Sequence, residues 1–172
     1  MAVTVRRASA DDADVLAELH RALHEPHVRA MPQEYPPYDR AATLEYYRGI
    51  LADPSWLVWV AEAGGRPVGF LGAAVQQRPE SPFTLGLRVL YVHQLAVADD
   101  ARGRGVGRAL LAAAEQAAPA LGCTEVRLDH RAFNEGAHRF YASLGYTTHL
   151  VGMRKATGGA PDDPSAGRSG GR

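Results

Sequence analysis

The sequence contains a single cysteine, Cys123, in 172 residues. One thiol excludes an internal disulfide framework, which is the usual support of small secreted domains. The chain also lacks an apolar run long enough to cross a membrane, and its first residues, MAVTVRRASADD, lack the apolar stretch of a signal peptide. From these absences we expect a cytoplasmic protein without a membrane partner.

The sequence also lacks a net charge, because its basic and acidic side chains balance. Lysine plus arginine and aspartate plus glutamate each number 19. Proteins that bind nucleic acid usually carry a basic excess, so we expect no nucleic-acid partner. The length is typical of one domain with its own core. We expect this domain to span residues 1–155, because residues 156–172 are rich in glycine, proline, serine and aspartate and predict a disordered tail.

The motif with the clearest chemical meaning lies in residues 91–111, YVHQLAVADDARGRGVGRALL. A strand pattern passes through a polar turn into a helix pattern. A glycine-rich turn at a helix N-terminus directs free backbone N–H groups and the positive end of the helix dipole at one point. Arginines in the turn add charge for the same anion. The residues predicted to bind a phosphate or pyrophosphate are Arg102, Gly103, Arg104, Gly105, Val106, Gly107 and Arg108.

Two common phosphate-binding motifs do not fit this turn. A P-loop would end in Gly-Lys-Ser/Thr, which the turn lacks. A dinucleotide fingerprint that started at Gly103 would place Arg108 where the third glycine belongs. The remaining pattern, Arg-x-x-Gly-x-Gly after a strand, resembles the coenzyme A pyrophosphate loop of the GNAT superfamily of N-acetyltransferases.

A second stretch resembles the other signature of this family. Residues 134–146 read NEGAHRFYASLGY, in which an asparagine precedes an Ala-x-x-Phe-Tyr helix and a Gly-aromatic pair follows it. The two motifs have the family's order. The resemblance extends in layout over residues 3–155 and is specific within residues 92–111 and 128–146. On these motifs the sequence is identified as a member of the GNAT superfamily.

The resemblance implies an α/β fold of three layers. A mixed, mostly antiparallel, twisted sheet would carry helices on both faces and contain a splayed pair of central strands. The sequence pattern adds details along the chain. Four prolines in residues 24–38 predict a loop after the first helix, Gly64-Gly65 predicts a hairpin, and residues 146–154 predict a closing strand.

The resemblance also implies a reaction. Acetyl-CoA would be the co-substrate, and its acetyl group would pass to a primary amine of a small molecule or peptide by direct attack, without a metal. The pantetheine arm would lie between the splayed strands, against the backbone of Leu95, Ala96 and Val97. A protein N-terminal or lysine acetyltransferase and a non-catalytic acyl-CoA-binding regulatory module are open alternatives. The acceptor is not identified, and a homodimer would be common in this family.

Two residues of the second motif have two interpretations each. Tyr141 matches the family's tyrosine, which implies a general acid that protonates the coenzyme A thiolate. Its helical spacing with Ala137 and Leu144 also fits a core residue, as does that of Phe140. Asn134 would contact the cofactor or cap the helix that follows it.

The general base is an open assignment. Relatives often place a glutamate near the end of the fourth strand, where this sequence reads YVHQ. Histidine has a reference pKa near neutrality, and strand alternation places His93 on the face of Leu95 and Val97, so it is our candidate base. A packing role for His93, a role for His130, or water as the proton acceptor are the alternatives. Alternation puts Asp129 and His130 on opposite faces, so we do not pair them.

The segment between the first two predicted helices offers further candidates. His24 and His27 have a two-histidine spacing, but Pro26 disrupts the helix that would aim both at a metal, so no metal site is expected. Aromatic residues around this segment would line an acceptor pocket or pack the helix onto the sheet. They are Tyr35, Tyr38, Tyr46 and Tyr47.

Overall fold

The computed structural model describes residues 2–155 and 157. A single five-stranded sheet is its centre. The strands are β1 (Val3–Arg7), β2 (Trp56–Ala63), β3 (Arg66–Arg78), β4 (Leu87–Val97) and β5 (Glu125–Leu128). The helices are α1 (Ala13–Ala30), α2 (Arg40–Ala52), α3 (Val106–Ala117) and α4 (Glu135–Ala142). Apart from Thr157, the predicted tail of residues 156–172 lies outside the described residues.

The sheet is mixed and mostly antiparallel, as predicted. Strands β1 to β4 follow one another as antiparallel neighbours, and β5 joins the sheet parallel to β4. The turn between β2 and β3 is Gly64-Gly65, and both glycines have a positive φ that other residues rarely adopt. Helix α3 lies between β4 and β5 in the chain, because parallel neighbours need a long crossover connection.

Helices cover both faces of the sheet. Helices α3 and α4 enclose one apolar cluster with residues such as Leu71 and Leu110. Helices α1 and α2 enclose a second cluster that includes Leu16, Tyr47 and Phe70. Burial of each such large side chain contributes about 1.5–3 kcal/mol, which is why the layers stay together. None of the described helices is both long and apolar enough to cross a lipid bilayer.

A buried carboxylate fastens the start of α1 to the edge of the sheet. Asp12 is 6 % exposed. It accepts hydrogen bonds from the Arg6 guanidinium at 2.8 and 2.9 Å and from the Ser9 backbone N–H at 2.7 Å. Arg6 also donates to Glu62 on β2 at 2.8 Å. One arginine of β1 thus holds together β1, β2 and the turn before α1.

Helix α1 is longer than the sequence predicts. Residues 24–38 are predicted to be a loop, yet α1 continues through Pro26 to its end at Ala30. Proline lacks an N–H and leaves the carbonyl four residues before it, that of Ala22, without a helical donor. Beyond Pro26 a helical hydrogen bond forms again, from the N–H of Met31 to the carbonyl of His27 at 2.8 Å. The predicted loop was therefore wrong over its first part.

Residues 146–154 do not form the predicted closing strand. Three apolar side chains of this segment are largely exposed, namely Leu150, Val151 and Met153. None of the three side chains packs against either apolar cluster of the described residues, so burial does not hold this segment on the sheet. Within the described residues, β5 therefore pairs with β4 alone.

Candidate active site where two strands diverge

Strands β4 and β5 are paired over four residues and then separate. Residues 89–92 of β4 face residues 125–128 of β5, and β5 ends there. Strand β4 continues to Val97, and over this part its partner among the described residues lies on the β3 side. A cleft of about 1220 Å³ opens beside the unpaired part of β4, with Leu95 and Ala96 in its wall. An extended ligand with amide groups can add to such an edge as a strand would.

The glycine turn lies at one end of this cleft. Gly103 and Gly105 have φ values of 73° and 82°. A Cβ on either glycine would meet no atom within 4 Å, so the turn presents open backbone. Gly105 precedes α3, and no side chain caps the helix at that end. The N–H groups of its first turn are thus free to bind an anion.

The residues of the turn differ in what they face. Arg102 and Arg108 line the cleft, whereas Arg104 does not. A Cβ on Gly107 would lie 2.9 Å from the ring of Phe140, so this glycine also allows α4 to pack on α3. Phe140 packs against the apolar cluster, as predicted.

Tyr141 takes part in both of its predicted environments. The residue packs against the cluster beneath α3 and α4, and it also lines the cleft. Burial raises the pKa of Tyr141 to about 12, so the hydroxyl keeps its proton at neutral pH. Packing and proton donation are therefore compatible at this position.

Asn134 caps α4. Its side-chain oxygen accepts a hydrogen bond from the N–H of Ala137 at 3.0 Å. The residue also lines the cleft. With its oxygen used by the helix, the side-chain amide nitrogen is the group that can donate to a ligand.

A β-bulge at His93 changes the direction of its side chain. The two residues beside His93 pair with consecutive residues of β3, so His93 is an extra residue in β4. Leu95 and Val97 pack on the α3 side of the sheet. The His93 ring instead lies 4.7 Å from the ring of Trp56, which packs on the side of α1 and α2. The predicted common face of the three residues was wrong, because a bulge interrupts alternation.

The surroundings of His93 favour its neutral form. Its ring lies 5.0 Å from that of Tyr91 and lines the cleft. Burial lowers the pKa of His93, and the charge of Asp129 opposes this shift. A neutral imidazole at pH 7 can accept a proton from an amine.

Both ring nitrogens of His130 already have partners. Nδ1 lies 3.2 Å from the carbonyl oxygen of Arg131, and Nε2 lies 3.2 Å from Nδ1 of His138. The carbonyl accepts a hydrogen bond from Nδ1 of His130, and the two histidine rings share a second hydrogen bond. His130 thus lines the cleft with both ring nitrogens in hydrogen bonds within the protein.

Sequence reasoning missed Asp129. The hydroxyl of Tyr91 donates to its Oδ2 at 2.9 Å, and Asp129 lines the cleft together with His130. Alternation does not separate the two residues, because β5 ends at Leu128. An acidic residue directly after the last residue of a strand was the signal that could have identified it.

The predicted aromatic residues have different positions. Tyr35 lines the cleft. Tyr47 is buried at 1 % exposure, the hydroxyl of Tyr38 donates to the carbonyl of Ala17, and that of Tyr46 accepts from Gln94. Across the part of the chain that the structure describes, no three histidine, cysteine, aspartate or glutamate residues are grouped to hold a metal.

Comparison with known proteins gives consistent matches. Residues 16–146 match the Acetyltransferase (GNAT) family. N-acetyltransferase 8 of Rattus norvegicus is 34 % identical over 99 residues, which is 58 % of this chain and 43 % of that protein. An uncharacterized N-acetyltransferase of Methanocaldococcus jannaschii is 28 % identical over 149 residues, which is 83 % of this chain and 60 % of that protein. The chain thus spans about half the length of these curated relatives.

Solved structures share the fold. A tetramutant of a protein from Bacillus halodurans superimposes with a TM-score of 0.84 at 25 % identity, covering 89 % of this chain and 99 % of that one. The aminoglycoside N-acetyltransferase AAC(6')-Iy in complex with CoA gives a TM-score of 0.69 at 21 % identity, covering 90 % and 95 %. The second similarity concerns the fold alone.

Proposed function

The chain belongs to the Acetyltransferase (GNAT) family, and on that premise we propose that it transfers the acetyl group of acetyl-CoA to a primary amine of a small molecule or peptide. One observation carries the proposal. The cleft between β4 and β5 has an open glycine turn with two arginines at one end and a protonated tyrosine in its wall. The acetyltransferase domain in this proposal spans residues 1–155.

The glycine turn suggests an orientation for coenzyme A in the cleft. Its pyrophosphate would bind the N–H groups at the start of α3, with Arg102 and Arg108 beside it. Its pantetheine arm would lie along the unpaired edge of β4 at Leu95, Ala96 and Val97. The thioester would then reach the part of the cleft that Tyr141 lines.

The protein's side chains would move two protons. A neutral amine attacks the thioester and loses a proton as the carbon–nitrogen bond forms, and neutral His93 is the group that we assign to accept this proton. The attack forms the carbon–nitrogen bond, and collapse of the tetrahedral intermediate breaks the carbon–sulfur bond. Tyr141 would donate its hydroxyl proton to the departing thiolate. Its raised pKa means that this proton is present at neutral pH.

The test combines acetyl-CoA binding with thiol release. Calorimetric titration of the full chain should show acetyl-CoA binding, and a panel of amines should give free thiol in excess of hydrolysis. Arg108→Ala should weaken acetyl-CoA binding about tenfold, which corresponds to about 1.4 kcal/mol. Arg104→Ala is the matched control, because Arg104 does not line the cleft. Equal effects of the two variants would contradict the placement of the pyrophosphate.

Acetyl-CoA binding and thiol release together distinguish a sensor from an enzyme. A non-catalytic module would bind acetyl-CoA and release no thiol with any amine. Thiol release with peptides alone, and not with small amines, would make the acceptor a protein N-terminus or lysine. Release with small amines supports the proposal as stated.

A further inference from the structure

Ring side chains form one wall of the cleft on the side of α1. His20, His24 and His27 follow one another at helical spacing and all line the cleft. The ring of Tyr35 lies 5.0 Å from that of His27 and 6.1 Å from that of His24. Phe133, from the segment after β5, lies 5.4 Å from His27 with its ring nearly perpendicular. These five residues are called the ring wall below.

The inner end of the ring wall is uncharged. The hydroxyl of buried Tyr47 lies 2.7 Å from Nδ1 of His20. Burial, together with the nearby His24 and His27, lowers the pKa of His20 to about 4. His20 is thus neutral at pH 7, and its Nδ1 forms a hydrogen bond with the hydroxyl of Tyr47. A neutral ring surface suits the face or edge of another aromatic ring.

Among the described residues that line the cleft, Asp129 and Glu135 are the acidic ones. Glu135 lies at the start of α4 and is 3.3 Å from Arg139, so its charge is partly compensated. Asp129 accepts from Tyr91 through Oδ2. Tyr91 links Asp129 to the candidate base, because the Tyr91 ring lies 5.0 Å from that of His93, and Tyr141 lines the same cleft.

Other charges of the cleft repel a polycation. Arg131 and Arg139 line the cleft, and the Arg131 guanidinium donates to the hydroxyl of Tyr35 at 2.7 Å, beside the ring wall. Four arginines line the cleft against two carboxylates, so a ligand with several ammonium groups would meet a net positive lining. A ligand with one ammonium group meets no such conflict.

We propose that the acceptor is an aromatic monoamine whose amino group lies at Asp129 and whose ring packs against the ring wall. This inference rests on the proposed acetyl transfer, and it names the class of acceptor for the same cleft. Asp129 would draw the ammonium form from solution, the ammonium would give one proton to solvent before attack, and His93 would take the second proton as the neutral amine attacks. Phe133, which is 40 % exposed, would supply ring contact at the outer end.

Binding experiments test the two contacts separately. The full chain, saturated with coenzyme A, is titrated by calorimetry with 2-phenylethylamine and with 2-phenylethanol, which has the same ring but no charge. The amine should bind about tenfold more tightly, since a charge-assisted hydrogen bond to Asp129 is stronger than one from a neutral hydroxyl. Asp129→Asn should abolish this preference while the alcohol binds as before, which a general loss of structure cannot produce.

The ring contact has a matched pair of variants. Phe133→Leu should weaken binding of the amine and the alcohol by the same factor, about fivefold to tenfold. Phe83→Leu is the control, because Phe83 is 93 % exposed between β3 and β4 and does not line the cleft. It should bind both compounds as the unchanged chain does. Equal binding by Phe133→Leu and the unchanged chain would overturn the ring contact.

Thiol release then tests selectivity. With acetyl-CoA, kcat/KM for 2-phenylethylamine should exceed that for spermidine by about tenfold or more. A higher kcat/KM for spermidine would overturn this inference, and so would equal binding of 2-phenylethylamine and 2-phenylethanol. Neither result would contradict the proposed acetyl transfer. Failure of the proposed function looks different, because the chain would then bind the aromatic amine and release no thiol with any amine.

Discussion

Tyr141 offers the most direct test at the level of one side chain. Tyr141→Phe keeps the ring in its apolar cluster and removes only the hydroxyl. If that hydroxyl protonates the thiolate, turnover should fall about 10²–10⁴-fold while acetyl-CoA affinity hardly changes. Single-turnover thiol release and calorimetric titration measure the two quantities.

Tyr146→Phe is the matched control for this change. The hydroxyl of Tyr146 donates to Glu115 at 2.8 Å, and the residue does not line the cleft. Its loss should leave turnover nearly unchanged. A fully active Tyr141→Phe enzyme would reduce Tyr141 to a packing residue.

His93 should control the acidic limb of the rate profile. A base must be neutral, so activity is lost as the pH falls through its pKa. Because burial lowers the pKa of His93, we expect this limb below the ordinary value of about 6.5. His93→Ala should remove the limb, whereas His149→Ala, at an exposed residue outside the cleft, should keep it. A limb that survives in His93→Ala would point to another proton acceptor, such as water.

At the level of elements, two helical glycines have opposite roles. Gly107→Ala places a Cβ 2.9 Å from the Phe140 ring, so α4 must shift on α3. We expect a loss of about 1–3 kcal/mol in the free energy of unfolding, measured by urea denaturation. Acetyl-CoA binding should weaken as well, because the start of α3 carries the proposed pyrophosphate site.

Gly49→Ala, in α2, is the control. A Cβ at Gly49 would meet nothing within 4 Å, and the residue lies inside a helix. The change should raise the free energy of unfolding by about 0.5–1 kcal/mol. If Gly107→Ala raised the free energy of unfolding as Gly49→Ala does, this result would contradict the close contact between α3 and α4.

Local sequence signals predicted most elements. The predicted Gly64-Gly65 hairpin is the turn between β2 and β3, and Asp39 caps α2 by accepting from the N–H of Ala42 at 3.1 Å, as is typical of an aspartate before a helix. The failures depend on contacts distant in the chain. Whether α1 passes Pro26, and whether residues 146–154 find a partner strand, is decided by packing that local pattern does not record.

The candidate site also has parts that the sequence predicted and parts that it did not. The glycine turn and Tyr141 could be predicted because each motif is contiguous in sequence. The ring wall joins α1 to Phe133, more than a hundred residues later, and Asp129 meets Tyr91 across two strands. No short pattern contains such pairs, so these contacts needed the fold.

For the whole molecule, the cross-link through Asp12 should determine part of the acid stability. The bonds from Arg6 and Ser9 hold the pKa of Asp12 at about 2, below the value of about 3.9 expected in the unfolded chain. A lowered pKa in the folded state means that this stabilisation is present above about pH 4 and is lost as the pH falls towards 2. Asp12→Asn should therefore lower the free energy of unfolding at pH 7 by about 2 kcal/mol.

Asp11→Asn serves as the control for that measurement. Asp11 is the exposed neighbour of Asp12. Its change should move the free energy of unfolding by less than about 0.5 kcal/mol. Urea denaturation should be carried out at pH 7 and pH 3. The free energies of unfolding of the two variants should differ less at pH 3 than at pH 7. A constant difference would mean that the charge of Asp12 does not stabilise the fold.

Residue 93 affects both the chemistry of the cleft and the backbone geometry of β4, and substitution and deletion separate these two effects. Substitution changes the chemistry at this point but keeps the number of residues in the strand. Deletion of His93 would remove the bulge but leave the faces on which its neighbours lie unchanged, because Val92 already packs on the α3 side and Gln94 already contacts Tyr46 of α2. The strand should thus fold with almost any side chain at 93 and also when it is one residue shorter, but the shorter strand would lose both the ring that lies against Trp56 and the local bend that the bulge adds.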